Sequence, residues 1–186
     1  AYPVMPGDYK ITMYMKDNGE MTKLAGPEPF KCKVLENSTL PPRDRQELVD
    51  FQQKMQKLGG AVYAADEFRK DITKRLAMIE KAILIAAEVD NGLLKKVREL
   101  SLDLADIAAT IHGNESIAKR SGSQPPSIVD RLNRIVWYMW SNSSEPTETN
   151  KEQYRIIGEM FIPVLEGLRR ISETEIPAIE DQLRRS

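Results

Sequence analysis

The apolar positions of the chain follow two different periods, and the change falls near residue 40. From Tyr9 to Met15, apolar and polar side chains alternate, which is the period-two pattern of a half-buried strand. Asn18-Gly19 then supplies the pair preferred in a tight hairpin turn, because both central residues need a positive φ. A second strand is predicted for Glu20 to Leu24. After a turn at Gly26-Pro27-Glu28-Pro29, a third is predicted for Phe30 to Val34.

These three predicted strands are too few for a complete β-domain. A sandwich of the immunoglobulin type needs about seven strands. We therefore assign residues 1–40 to a hairpin plus a third strand at the end of an immunoglobulin-like sandwich, and we expect the earlier strands upstream of Ala1. A small sheet packed directly on the helices is the alternative.

The helical period begins after Pro41-Pro42 and predicts one unusually long first helix, over about residues 44–88. The apolar steps of three and four continue across Gly59-Gly60, although each glycine costs about 1 kcal/mol relative to alanine inside a helix. A break at the glycines would have reset this phase. The stripe consists of Leu48, Phe51, Met55, Leu58, Val62, Ala65, Phe68, Ile72, Leu76, Ile79, Ile83 and Ala86.

Two shorter helices are predicted next, over about residues 92–112 and 126–141. Gly113 follows the second helix where a C′ glycine would end it. Pro125-Pro126 is expected to open the third, since proline is tolerated in the first turn.

The last helix is predicted for about residues 149–185, with Thr149 and Glu152 as a capping box. Its apolar stripe runs as far as Ile171 and resumes at Ile176 one residue out of phase. We expect kinks near Pro163 and Pro177, because proline removes a backbone hydrogen bond. The predicted fold is therefore mainly α: an antiparallel four-helix bundle over residues 41–186 with long first and last helices, preceded by the small antiparallel β-segment.

The charge and composition restrict the partners. The chain carries 27 Lys and Arg against 28 Asp and Glu, which gives a net charge of −1. This balance argues against nucleic acid or an anionic membrane as the main partner. The longest strongly apolar run, Ala82 to Ala87, is far shorter than the ~20 residues of a membrane span, so no membrane insertion is expected.

The residue types that carry chemistry are sparse. The single histidine, His112, precedes the predicted cap at Gly113, where the helix dipole favours a cationic side chain. The single cysteine, Cys32, shares a strand face with Phe30 and Val34 and is predicted to be a small buried hydrophobe. No spacing of ligands predicts a metal site, and no glycine-rich phosphate loop occurs. We predict no catalytic, cofactor-binding or metal-binding residue, and no cofactor.

An aromatic cluster is the one candidate binding feature. Trp137, Tyr138 and Trp140 point to different sides of one helical turn, so a single buried face cannot cover all three. One tryptophan in the core and the other against a neighbouring β-domain would explain them structurally. An exposed patch for a protein or sugar partner is the functional interpretation.

The order of these features resembles the C-terminal region of bacterial sortilin-like or Asp-box (BNR-repeat) glycosyl-hydrolase-like β-propeller proteins. Residues 6–13, Pro-Gly-Asp-Tyr-Lys-Ile-Thr-Met, resemble the Pro-Gly-Thr-Tyr-x-Val-x-Leu strand that closes their immunoglobulin-like module. Residues 125–132 and 144–149 look like landmarks of the helical region that follows it. The resemblance implies an exported bacterial protein, whether periplasmic, membrane-associated or secreted, whose propeller lies upstream of Ala1. The Asp-box repeats have no counterpart in this chain, so no site residue is carried over.

The leading functional hypothesis is a non-catalytic C-terminal module that packs against upstream domains of the same polypeptide or binds another protein. An accessory domain that supports a glycoside-hydrolase-like activity located upstream is the second hypothesis. A free-standing helical adaptor or oligomerisation domain is the third, because heptad-like spacing also serves pairing between chains.

Overall fold

The structure is a computed structural model, and it describes residues 4–34, 44–86, 91–114, 117, 124–141 and 144–185. The side chains of Trp140 and Arg185 lie outside this description. The chain is mainly helical and carries one two-stranded antiparallel sheet within the described residues.

Within the described residues, four long helical segments follow the sheet, at positions close to those predicted. They are α1 (Arg45–Ile85), α2 (Asn91–His112), α3 (Ile128–Ser141) and α4 (Glu148–Arg170). Helix α4 continues through a π-helical turn, Ile171–Glu175, into α5 (Ile176–Arg185). Helix α1 runs unbroken through Gly59-Gly60, as the continuous apolar phase predicted.

The π-helical turn accounts for the phase slip in the last helix. A π turn holds one residue more than an α turn, so apolar positions on either side keep facing inward although their spacing changes by one. Ile171 and Ile176 are both buried, one at each end of this turn. Pro163 lies inside α4 and Pro177 inside α5, so the departure from α-helical geometry lies between the two prolines.

The residues that cap two helix N-termini differ from those predicted. The N-cap of α4 is Thr147, whose hydroxyl accepts from the Asn150 N–H at 3.2 Å, and not Thr149. Helix α3 begins after Ser127, beyond the two prolines that were expected to open it. Ser127 Oγ accepts from the Asp130 N–H at 3.1 Å, and Asp130 Oδ2 accepts from the Ser127 N–H at 3.0 Å, which forms a reciprocal cap.

The hydrophobic core draws on every helical segment. Helix α1 contacts α2, α3, α4 and α5; α2 contacts α3 and α4; α3 contacts α4. Most of the predicted stripe of α1 is buried, but Phe68 is 48% exposed and Ala86 is exposed as well. Between Val62 and Ile72 the interior face passes instead through Asp66, which is 3% exposed. The most deeply buried large side chains are Leu76, Ile83, Leu100, Leu104, Ile111, Ile128, Ile135, Ile157, Leu168, Ile171 and Ile176.

The sheet is a long hairpin, and the prediction of three strands was wrong. Strand β1 (Gly7–Asp17) pairs with β2 (Glu20–Cys32), and the turn is Asn18-Gly19, with φ of 49° and 91°. Residues 26–29 do not turn the chain but lie inside β2, and the two register shifts of the hairpin fall between residues 23 and 28 of this strand. Gly26 has a φ of 86°, and a Cβ at this position would lie 2.4 Å from the Ile11 carbonyl oxygen, so only glycine fits.

Candidate functional site

The predicted aromatic patch lies on α3, on the side turned away from the core. Ile135 is buried, and Trp137, two residues or about 200° further round the helix, is 73% exposed. Tyr138 is partly buried, and the side chain of Trp140 lies outside the described residues. Trp137 therefore does not enter the core, and it remains available to a partner.

A shallow recess of about 480 Å³ adjoins this tryptophan. It is lined by Asn133, Arg134, Trp137, Tyr138 and Asn150, so α3 and the first turn of α4 both contribute. The Asn150 side chain is 7% exposed, and its Nδ2 has no hydrogen-bond partner among the described residues. A buried donor without a partner costs about 1–3 kcal/mol. The sequence analysis did not single out Asn150, although it lies four residues before Tyr154 and seven before Ile157, on the buried side of α4.

A second polar centre joins α1 to the end of α2. Asp66 Oδ1 accepts from Arg69 Nε at 2.8 Å. Its other carboxylate oxygen, Oδ2, lies 3.1 Å from Lys70 Nζ and 2.9 Å from His112 Nε2. Burial raises the pKa of Asp66, but the hydrogen bonds from Arg69, His112 and Lys70 outweigh burial and lower it to about 2. His112 is the last residue of α2, as predicted, and the Gly113 N–H closes the helix on the Ala109 carbonyl at 2.7 Å.

The groove beside this centre has a volume of about 520 Å³ and includes His112, Arg69, Thr73 and Ser101 in its lining. The hydroxyl of Ser101 donates to the Val97 carbonyl at 2.9 Å. Ser101 and His112 are eleven residues apart on one helix, which separates them by about 16 Å along the axis. This distance is too long for the histidine to take a proton from the serine. The geometry thus fits a polar link between α1 and α2 better than a nucleophile with its base.

Asp66 was missed because the periodicity analysis scored apolar positions only. The sequence does contain a signal, since Arg69 and Lys70 follow Asp66 at i+3 and i+4, the spacings at which opposite charges meet on a helix. The contribution of His112, 46 residues further along the chain, arises only when α2 packs on α1.

An exposed apolar face lies on the β-ribbon, the hairpin of β1 and β2. Because successive side chains of a strand point to opposite sides, Tyr9, Ile11, Met13 and Met15 share one face of β1, and the Tyr9 ring stacks on Phe30 of β2 at 5.8 Å between centroids. Ile11 and Met13 are each 61% exposed, and no ribbon residue belongs to the helical core cluster. Cys32, at the end of this face, is a free thiol and only partly buried, so its predicted burial was overstated.

Comparison with known proteins gives no relative, since no family model, curated protein or solved structure matches the chain. In the described part of the chain, no helix has both the length and the apolar character needed to cross a membrane. The same residues contain no group of three or more His, Cys, Asp or Glu side chains that could hold a metal ion. The relationship to β-propeller proteins therefore stays a prediction, based on the sequence segments named above.

Proposed function

We propose that the chain is a non-catalytic structural and interaction module of a larger, exported multidomain protein. The observation that carries this proposal is the apolar face of the β-ribbon, which faces solvent in the isolated chain. Ile11, Met13, Met15 and Phe30 retain between 45% and 61% of their surface exposed.

The energetics favour a cover for this face. A two-stranded hairpin alone is at best marginally stable in water, and it becomes stable when further strands or another layer pack on it. Full burial of one large apolar side chain contributes roughly 1.5–3 kcal/mol. Since about half of each of the four side chains remains exposed, covering all four would contribute roughly 3–6 kcal/mol.

We assign the cover to a β-domain of the same polypeptide, in line with the resemblance to the end of an immunoglobulin-like module. Covalent linkage supports this choice, because a tethered domain reaches the ribbon at a high effective concentration.

The helical part is proposed to act as an antiparallel four-helix bundle that carries the ribbon. Three features support this arrangement: a core shared by all helical segments, contacts between every pair of α1 to α4, and the short connections from α1 to α2 and from α3 to α4. Ion pairs also link the helices, such as the bidentate contact of Arg75 in α1 with Glu180 in α5, at 2.8 and 2.7 Å.

Hydrogen exchange on the full-length gene product and on this chain alone tests the proposal. We expect amides of β1 and β2 to exchange at least tenfold more slowly in the longer protein, because a covering domain suppresses opening of the ribbon. Amides of α2 and α3 serve as the internal control and should exchange equally in both. Equal ribbon exchange in the two proteins, or a reading frame that encodes no further domain, would overturn the proposal.

A matched pair of variants sharpens this test. Met13→Ser removes an apolar contact from the exposed face, whereas Thr12→Ser makes a small change at the adjacent, oppositely directed position. Met13→Ser should reduce the protection of the ribbon amides from hydrogen exchange in the longer protein and leave their exchange in the isolated chain nearly unchanged. Thr12→Ser should change the exchange of these amides little in either protein. An equal loss in the isolated chain would show that Met13 stabilises the hairpin itself.

A further inference from the structure

The two outer edges of the β-ribbon differ in their ability to accept another strand. The sheet consists of β1 and β2 alone within the described residues, so the outer edge of each strand has no partner there. Strand β2 contains Pro27 and Pro29, which lack an N–H, and its two register shifts disturb the edge further. Strand β1 contains no proline in its 11 residues. An incoming strand therefore fits beside β1 and not beside β2.

The charges of β1 are complementary to those of a second β1 strand in the antiparallel direction. With Thr12 opposite Thr12 of the second copy, Asp8 lies opposite Lys16, and the symmetric pair repeats this contact at the other end. Lys16 faces the uncharged Met21 across the ribbon. Asp8 forms an ion pair with Lys31 of β2 at 3.8 Å, but its side chain is 84% exposed, so its carboxylate also has room for a lysine on the outer side of β1.

The neighbouring registers lose this complementarity. Pairing centred on Met13 places Lys10 opposite Lys16, and like charges opposite each other destabilise a sheet. Pairing centred on Ile11 places Asp8 opposite the uncharged Tyr14. Of these three registers, the one centred on Thr12 alone pairs opposite charges at both ends.

The same register joins the apolar faces of the two copies. Tyr9 lies opposite Met15 of the second copy and Ile11 lies opposite its Met13, all on one side of the sheet. The result is a four-stranded sheet in the order β2-β1-β1-β2, which is above the number of strands needed for independent stability.

We propose that two copies of this chain associate through the outer edges of their β1 strands, antiparallel and with Thr12 on the twofold axis. This association uses the edge of the ribbon, whereas the proposed cover uses its face, so the two proposals stand or fall separately.

Sedimentation equilibrium of the 186-residue chain with a charge swap tests this register. Lys16→Asp places like charges opposite each other twice, and we expect it to raise the dissociation constant of the dimer roughly tenfold. Adding Asp8→Lys restores opposite charges and should bring the constant back to within about threefold of the original. Lys23→Asp makes the same change of charge on β2 and serves as the matched control, with little expected effect. A monomer at millimolar concentration, or failure of the second substitution to restore association, would overturn the proposal.

Disulfide trapping provides a second, geometric test in a Cys32→Ser background. Residues directly opposite each other in an antiparallel pair have Cα atoms about 4.5–5.5 Å apart, within the range that a disulfide spans. Thr12→Cys should therefore form a covalent dimer under mild oxidation. Lys16→Cys is the control, because two copies of residue 16 would lie about 27 Å apart in this register. A dimer in solution without selective cross-linking at residue 12 would assign the interface to another surface and refute the proposal.

Discussion

Replacing Asp66 by asparagine removes a buried charge on which three nitrogen donors converge. Arg69, Lys70 and His112 all lie within 3.1 Å of its carboxylate oxygens, and the side chain is almost completely buried. An amide cannot accept from all three donors and carries no compensating charge. Arg69 would then remain largely buried with a weaker partner.

The magnitude follows from the pKa of Asp66, which falls from its ordinary value of 3.8 to about 2 in the folded chain. At about 1.4 kcal/mol per pKa unit, this fall corresponds to roughly 2 kcal/mol of folding free energy. Because the folded pKa is depressed, the stabilisation is fully present above about pH 4 and is lost as the pH falls towards 2. Near pH 2 about half of the folded molecules carry a protonated Asp66, and roughly 2 kcal/mol has been lost.

Urea unfolding followed by circular dichroism at several pH values between 6 and 2 measures this contribution. The difference in unfolding free energy between the native chain and Asp66→Asn should shrink by about 2 kcal/mol over this range. Glu67→Gln is the matched control, since its exposed neighbouring carboxylate should contribute under ~1 kcal/mol at any pH. A difference that stays constant from pH 6 to pH 2 would refute the assignment of the stabilisation to the Asp66 charge.

Three further changes test other parts of the fold. Gly26→Ala should abolish protection of the ribbon amides in hydrogen exchange while the helical melting temperature stays within about 3 °C; retained ribbon protection would contradict the requirement for glycine. Ile135→Ala should lower the free energy of unfolding in urea by about 2–5 kcal/mol, whereas Trp137→Ala on the same helix should lower it by under ~0.5 kcal/mol. Equal losses would mean that Trp137 packs in the core. Deleting Glu173 should turn the π-helical turn into an α turn and preserve cooperative thermal unfolding. Deleting Glu166 inside α4 should rotate the residues that follow it by about 100° about the helix axis and abolish that cooperativity. Cooperative unfolding after deletion of Glu166 but not after deletion of Glu173 would disprove the role of the turn.

The helices could be predicted from the sequence because their signal is local and repeated. A stripe of apolar residues at steps of three and four gave α1 its full length through Gly59-Gly60, where two glycines alone would have suggested a break. The phase slip after Ile171 was also visible, although the sequence did not identify it as a π-helical turn. Packing on neighbouring helices decides whether such a slip is absorbed by an extra residue or by a break.

The errors arose where a local rule competes with tertiary structure. Gly26-Pro27 is typical of a turn, but the positive φ of Gly26 and its close approach to Ile11 let β2 continue past it. Phe68 was assigned to the core because it is apolar, whereas the interior position belongs to Asp66, which is stabilised by donors from two helices. Burial of a charge depends on partners brought together by folding, and periodicity of apolar residues contains no information about them.

The prolines of β2 bear on how far the chain can assemble. A sheet with two good edges can add strands without limit and grow into a fibre, as in cross-β aggregates. Pro27 and Pro29 remove donors from one edge of the ribbon, so a strand added beside β1 would leave only poor edges on the outside. Addition of strands would then stop at the dimer. Pro27 and Pro29, which interrupt the hydrogen bonding of β2, would in this way protect the long exposed hairpin from polymerisation.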